Sequence, residues 1–207
     1  MRRLIVANIM SLDGYVAGPG GNVMALAMDD FFDEHNLERL WAADTLLLGA
    51  TTYLGLKGYW PAVAADPTRS PAVAANPEVA YLHRETGQRN NQIHKLVVSD
   101  SLTAGDTAPW TETSTIVRRA DAHQAVAECK RQPGKDILTF GSRTLWNDLL
   151  AAGLVDELHL MVGAAVVGGG TPAFGAGPVP PLRLADVRRR EGSENLLLRY
   201  QVVNRGS

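Results

Sequence analysis

Leu138-Thr139-Phe140-Gly141-Ser142-Arg143-Thr144-Leu145 passes from strand character to an amphipathic helical pattern across a single Gly-Ser pair. The first-turn N–H groups of a helix lack intrahelical partners and point at whatever lies in front of them, and the aligned peptide dipoles favour negative charge there. This turn therefore predicts a phosphate site. Gly141 lets a phosphate approach the backbone closely, and Ser142 is a candidate N-cap or phosphate donor. The same dipeptide also fits an ordinary serine-capped strand-to-helix turn, so the rest of the chain has to separate the two readings.

Upstream, Ile137 to Phe140 reads as a strand. Before it comes a helix with Asp121 as cap, Gln124 three places on as a capping box, a buried stripe of Ala122, Ala125, Val126 and Cys129, and a stop at Pro133-Gly134. Earlier strands are read at Ser114 to Val117, Lys95 to Val98, Thr45 to Leu48 (closed by Gly49) and Leu4 to Met10. The first of these, Leu4 to Met10, runs into the glycine-rich segment Ser11 to Gly21, expected to be a loose lid over a site. Asp29 to Ala43 reads as a helix with Leu37, Leu40 and Trp41 on one side and acids in its first turns. Pro61 to Pro77 shows no period and is expected to be a surface excursion, after which Asn76-Pro77-Glu78 opens a short helix.

Downstream, the helix from Arg143 is expected to turn Leu145, Leu149 and Ala152 inward and to end at Gly153. Strand resumes at Leu158 to Val162, is interrupted by Gly168-Gly169-Gly170-Thr171-Pro172, and returns as Leu182 to Arg188 and Leu196 to Val203, close enough to form a hairpin. Strands separated by helices imply parallel crossover connections, and the late pair implies an antiparallel edge. The expected fold class is α/β, a three-layer αβα arrangement with a mixed, mostly parallel central sheet and antiparallel C-terminal strands, forming one domain over residues 1–207. Ligands of such sheets bind at the carboxyl ends of strands. Gly49, Ser99 and Gly141 each follow a strand and are expected to share one crevice.

Composition narrows the function classes. Lys plus Arg is 20 against Asp plus Glu 22, a net charge of −2. The basic runs Arg118-Arg119 and Arg188-Arg189-Arg190 are short, so nucleic acid is not expected as the main partner, and the triple arginine reads as a solvated face. Cys129 is the only cysteine, which excludes an intrachain disulfide and fits a reducing compartment. No signal peptide or membrane span is read, and a cytoplasmic location is expected. His35, His83, His94, His123 and His159 show no metal-ligand spacing, so no metal is expected. Neither a phosphate-binding Gly-x-x-x-x-Gly-Lys loop nor a Gly-x-Ser-x-Gly elbow is present. Trp60 and Trp110, each beside a proline, read as loop anchors rather than stacking platforms.

Six pieces in order carry a resemblance: Ser11-Leu12-Asp13-Gly14-Tyr15-Val16-Ala17, Leu46 to Tyr53, Lys95 to Ser99, Phe140 to Leu145, Gly153 to Leu158 and Val167 to Phe174. Together they resemble the dihydrofolate reductase fold, and more narrowly the family that includes the reductase domain of bacterial riboflavin biosynthesis. The resemblance implies a reductase that binds NADPH, with NADH left open, and passes hydride to a pterin-like, pyrimidine-like or carbonyl substrate. It implies that Ala7 lines the nicotinamide pocket through its backbone and that the loop from Tyr15 to Gly18 covers it. Gly49, Thr51 and Thr52 would begin a helix facing the phosphates, Val98 and Ser99 would border the adenosine half, and Gly141, Ser142, Arg143, Thr144 and Leu145 would hold the pyrophosphate. Relatives commonly carry an arginine where this chain has Ala50 and a basic or neutral residue where it has Asp100, so weak discrimination between NADPH and NADH is expected unless Arg118, Arg119 or Arg143 compensates. A homodimer is expected from relatives and from the apolar late strands.

Reduction of an imine or carbonyl also needs a proton. Asp33, with Asp29 and Asp30 as rivals, lies near the position where folate-reducing relatives place their substrate acid, and Asp13 matches the family's loop acid. Both also fit quieter roles, Asp33 in compensating a helix dipole and Asp13 in capping a turn. A non-catalytic small-ligand binding protein on the same fold is the competing reading.

Overall fold

A computed structural model describes residues 1–203; residues 204–207, the last of the span expected to form one domain, lie outside the described residues. The first strand, β1 (Leu4–Ser11), is apolar almost throughout and buried on both faces, as the centre of a parallel sheet requires. It is followed by the short β2 (Tyr15–Ala17), α1 (Asp30–Ala42), β3 (Ala43–Gly49), α2 (Ala50–Ala65), α3 (Pro71–Ala75), α4 (Ala80–Gln92), β4 (His94–Val98) and β5 (Ser114–Val117). Then come α5 (Ala122–Arg131), β6 (Asp136–Phe140), α6 (Arg143–Ala151), β7 (Glu157–Gly163), β8 (Thr171–Pro172), β9 (Leu182–Arg188) and β10 (Leu196–Val202).

Eight strands form one sheet in the order β5-β4-β3-β6-β1-β7-β10-β9, and β2 pairs with β8 in a separate ribbon. Pairing from β5 through β7 is parallel, whereas β10 runs antiparallel to both β7 and β9. This is the mixed, mostly parallel three-layer sheet with an antiparallel C-terminal hairpin. Alternate residues of the buried strands serve opposite layers. Leu4, Val6, Leu47 and Leu96 pack with Val126, Trp146, Leu149 and Leu150 of α5 and α6. Ile5, Leu46, Leu48 and Val97 pack with Leu40 and Tyr53 of α1 and α2. Among the described residues, no helix is long and apolar enough to cross a membrane.

Several local expectations change. The strand expected at Thr45 to Leu48 extends in both directions. Pro61 does not open an excursion: it sits inside α2, and the chain that follows buries Val73 of α3, Val79, and Leu82 of α4 in a small cluster against Leu37 of α1. Periodicity failed there because the turns are too short to repeat. Leu40 is buried as expected, but Trp41 is half exposed, because the other buried residues of α1 are Phe31 and His35. Ala152 is exposed beyond the end of α6, which instead buries Trp146 and Leu150. The capping box before α5 does not form: Asp121 makes no side-chain cap, and Gln124 donates to Glu128. Of the triple arginine, Arg189 is exposed as expected, whereas Arg188 pairs with Glu38 and Asp186, and Arg190 with Glu34.

The glycine-rich segment is anchored as well. Asp13 accepts hydrogen bonds from the N–H groups of Val167 and Gly168 at 3.2 and 2.8 Å, and the β2–β8 ribbon holds the two loops together. At Gly170, with φ +126°, a Cβ would fall 2.2 Å from the Ala17 carbonyl oxygen, so only glycine permits this approach.

Candidate functional site

The carboxyl ends of β3, β4 and β6 open onto a crevice of about 1040 Å³. Its walls include Gly49, Thr51 and Thr52 at the start of α2, Val98 and Ser99 after β4, and Ser142, Arg143, Thr144 and Leu145 at the start of α6. The three expected strand-end turns thus share one site. Both α2 and α6 present their N-termini to it, bringing the positive ends of two helix dipoles together.

The floor is an interlock of backbone and hydroxyl groups. Gly141 and Ser142 both adopt left-handed conformations, with φ +51° and +45°. Such a conformation costs an L-residue about 1–2 kcal/mol, so Ser142 is held there by its partners. Its Oγ does not make the expected cap of α6 and instead accepts the Gly49 N–H at 3.0 Å. Its own N–H donates to Thr52 Oγ1 at 2.9 Å. The Gly141 N–H donates to Asn8 Oδ1 at 2.7 Å, tying the turn to β1. Because Ser142 and Thr52 use their oxygens as acceptors, both hydroxyl hydrogens remain free to donate into the crevice. The hydroxyls of Thr51, Thr144 and Thr171 add to a lining suited to phosphate oxygens.

Arg143 borders the same crevice, but its guanidinium is engaged elsewhere. Nε donates to the Pro172 carbonyl at 2.7 Å and Nη2 to that of Phe174 at 3.1 Å. Asn147 reinforces this by donating to the Ala173 carbonyl and accepting the Gly175 N–H. Arg143 and Asn147 therefore bind the Gly168–Gly175 region to α6.

Other expected residues fall away from the crevice. Ala7 is buried in β1 between Phe140 and His159 of the neighbouring strands, among the residues packed toward α1 and α2. Gly18 sits under the glycine turn at Gly170, outside the crevice walls. Gly141 is exposed and stands outside the crevice walls, next to Ser142, which lines them. Asp13 is the loop anchor already described; hydrogen bonds from the Ser11 hydroxyl and from the Gly168 and Val167 N–H groups hold its carboxyl below the usual range.

Asp33 is one-fifth exposed and faces α4, not the phosphate turns. Its Oδ2 accepts from His83 Nε2 at 3.1 Å, His83 Nδ1 meets Ser70 Oγ at 3.1 Å, and Tyr59 Oη donates to Ser70 Oγ at 2.9 Å. This chain assigns the proton of a neutral His83 to Nε2. Trp60 stacks on the same imidazole with ring centres 6.1 Å apart. The rivals of Asp33 are occupied: Asp29 caps α1 at the Phe32 N–H and accepts from Ser193, and Asp30 accepts from Asn76.

Sequence reasoning missed Asn8, His123 and Asp148. The available signal for Asn8 was a single amide inside the apolar run Leu4-Ile-Val-Ala-Asn-Ile-Met10. His123 and Asp148 lie 25 residues apart and meet only because α5 and α6 border the same crevice.

The chain is 27% identical over 174 residues to the uncharacterized protein YyaP of Bacillus subtilis (strain 168), covering 84% of this chain and 80% of that one. Among solved structures, a pyrimidine reductase-like protein from Corynebacterium diphtheriae superposes with a TM-score of 0.61 at 14% identity, over 99% of this chain and 93% of that one. A Thermotoga maritima diaminohydroxyphosphoribosylaminopyrimidine deaminase/5-amino-6-(5-phosphoribosylamino)uracil reductase gives 0.64 at 14% identity, with 98% of this chain matching 57% of that one. At these identities the structural likenesses establish the fold. The profile of the RibD C-terminal domain matches residues 2–198, nearly the whole chain, and the protein belongs to that family.

Proposed function

We propose that this chain is a nicotinamide-nucleotide-dependent reductase acting on a small heterocyclic, pterin-like or pyrimidine-like, or carbonyl substrate. The observation that carries the reading is the convergence of two helix N-termini on one crevice, floored by the Gly141-Ser142 turn and rich in free hydroxyl donors. These groups suit a pyrophosphate, which needs several N–H and O–H donors and little else. The bound nucleotide would supply the hydride. The residues of the chain would hold the phosphates, keep the cofactor extended along the strand ends, and supply a proton.

Titration with NADPH and with NADH tests the reading. A saturable change in nicotinamide fluorescence with at least one of them is expected. No change with either would leave a non-catalytic small-ligand binding protein on the same fold.

Within this reading Asp33 relays a proton handed on by His83, and Asp13 is a loop anchor. The Asp13 carboxylate is engaged by the Val167 and Gly168 N–H groups. Asp33 instead stands at the end of the chain from Tyr59 through Ser70 and His83. Asp33→Asn is expected to lower turnover by about 10²-fold or more while leaving cofactor affinity nearly intact. Wild-type turnover by that variant on a confirmed substrate would assign proton delivery to water or to the substrate.

A homodimer through the C-terminal hairpin belongs to the same reading. The outermost strand, β9, exposes Leu184 and Val187 beside an open edge. Light scattering at micromolar concentration is expected to report twice the chain mass, and a monomer would remove the dimer.

A further inference from the structure

Four polar side chains from four separate segments stand in single file in the layer of α1 and α2. Tyr59 is on α2, Ser70 directly precedes α3, His83 is on α4 and Asp33 is on α1. Tyr59 Oη lies 2.9 Å from Ser70 Oγ, Ser70 Oγ 3.1 Å from His83 Nδ1, and His83 Nε2 3.1 Å from Asp33 Oδ2. The two middle members are buried, with Ser70 1% and His83 4% exposed, whereas Tyr59 and Asp33 at the ends are only partly buried. Ser70 occupies the N-cap position of α3, yet its hydroxyl makes no cap. It is committed to Tyr59 and His83 instead.

The charge of Asp33 fixes the direction of every bond in this file. An ionised carboxylate only accepts, so His83 Nε2 donates to it. A neutral imidazole then has a bare Nδ1, which takes the Ser70 hydroxyl hydrogen, and the Ser70 oxygen in turn takes that of Tyr59. Every hydrogen in the file points toward Asp33. A buried neutral imidazole cannot surrender its Nε2 hydrogen alone, because an uncompensated imidazolate would remain. It can do so when Nδ1 gains a proton in the same event, and Ser70 is placed to supply it.

We propose that Tyr59, Ser70 and His83 form a proton wire that recharges Asp33 from solvent through the helical layer. This rests on the reading of Asp33 as a relay to substrate. As Asp33 passes a proton on, its Oδ2 takes the His83 Nε2 hydrogen, Nδ1 takes the Ser70 hydrogen, Ser70 Oγ takes the Tyr59 hydrogen, and water reprotonates Tyr59. One proton enters at Tyr59 and one leaves at Asp33. Tyr59, Ser70 and His83 stand apart from the crevice walls, so a ligand filling the crevice leaves this route open. After release, solvent at Asp33 returns a proton to Nε2 while one runs back out through Tyr59, and the wire is reset.

The wire is testable without a substrate, through exchange of the His83 Nε2 hydrogen with water, read by nitrogen-15 NMR of the full chain labelled at histidine. Tyr59→Phe and Ser70→Ala each delete one hydroxyl, and neither removes a helix cap. Each is expected to slow that exchange about tenfold or more, with backbone amide exchange along α4 unchanged. A purely structural role has the opposite sign, because a lost hydrogen bond loosens the site and speeds exchange. Exchange as fast as wild type or faster in either variant, or a wild-type His83 protonated at Nδ1, would overturn the proposal. If exchange slows as expected while NADPH and NADH give no saturable signal, the reductase reading fails and the proton wire stands.

Discussion

Gly141→Val is expected to weaken NADPH binding by about a hundredfold or more, near 2.7 kcal/mol, in a protein that still folds. The residue has φ +51°, and a Cβ there would stand 3.0 Å from Thr52 Oγ1 and 3.2 Å from Thr52 Cγ2. A β-branched side chain in this conformation adds about 1–2 kcal/mol of backbone strain. Relief requires either Thr52 or the turn to move. If Thr52 moves, Ser142 N–H loses its acceptor, Ser142 leaves its left-handed conformation, and the Gly49 N–H is released from Ser142 Oγ. The floor of the crevice thus comes apart as a unit. Circular dichroism checks the fold and nicotinamide fluorescence the affinity. Ser142→Ala keeps the glycine and removes only one link, so an intermediate loss is expected. Wild-type affinity in a folded Gly141→Val protein would place the phosphates elsewhere.

Lys95→Met is expected to stabilise the protein at pH 6, with a gain that fades as the pH rises toward 10.5. Lys95 is fully buried in β4, with no carboxylate partner among the described residues. Its Nζ donates to Thr113 Oγ1 at 3.0 Å and the Asn91 carbonyl at 3.3 Å, and lies 4.2 Å from the centre of the Trp110 ring. Burial first, and the Arg89 charge second, push its pKa down to about 7. Below that value the lysine is charged in both the folded and unfolded chains, and the folded state bears the desolvation cost. Between about 7 and 10.5 the unfolded chain binds more protons, so wild-type stability climbs with pH by up to about 1.4 kcal/mol per unit. Methionine fills a similar volume and removes that slope. Each kcal/mol corresponds to about 2–4 °C in Tm for a chain of this size. Melting curves of both proteins from pH 6 to 10 read the difference. A difference independent of pH would mean that Trp110, Thr113 and the Asn91 carbonyl keep the ammonium charged throughout.

Local sequence carried most of the fold. Strong apolar runs such as Leu46-Leu47-Leu48 and Lys95 to Val98 announce buried parallel strands, because both faces of such strands are covered and the alternation disappears. The same runs end at Gly49, Ser99 and Gly141, and topology alone places those turns together. Pro61 to Pro77 was illegible because α2 continues through Pro61 and the later turns are stabilised by a small cluster of Val73, Val79 and Leu82 against Leu37. The buried charge of Lys95 was equally hidden, since a lysine heading a strand ordinarily reaches solvent.

At the candidate site the division is similar. The glycine turn and the start of α6 are properties of one short segment and could be read from it, whereas the start of α2 followed from the family resemblance. The side-chain assignments depend on partners far away in sequence. Ser142 was read as a cap for its own helix, yet it serves Gly49, 93 residues earlier. Arg143 looked free for phosphate, yet carbonyls about 30 residues later hold it. Asp33 owes its setting to His83 and Ser70, and Arg119 and His123 owe theirs to Asp100 and Asp148. Sequence by itself determined the strands of the main sheet and the turns that end them, and hence the location of the crevice, because those follow from periodicity and backbone stereochemistry over a few residues. Only the tertiary structure decided which polar side chains remain available to a ligand, because a hydrogen bond depends on distances of about 3 Å between groups that the fold alone brings together.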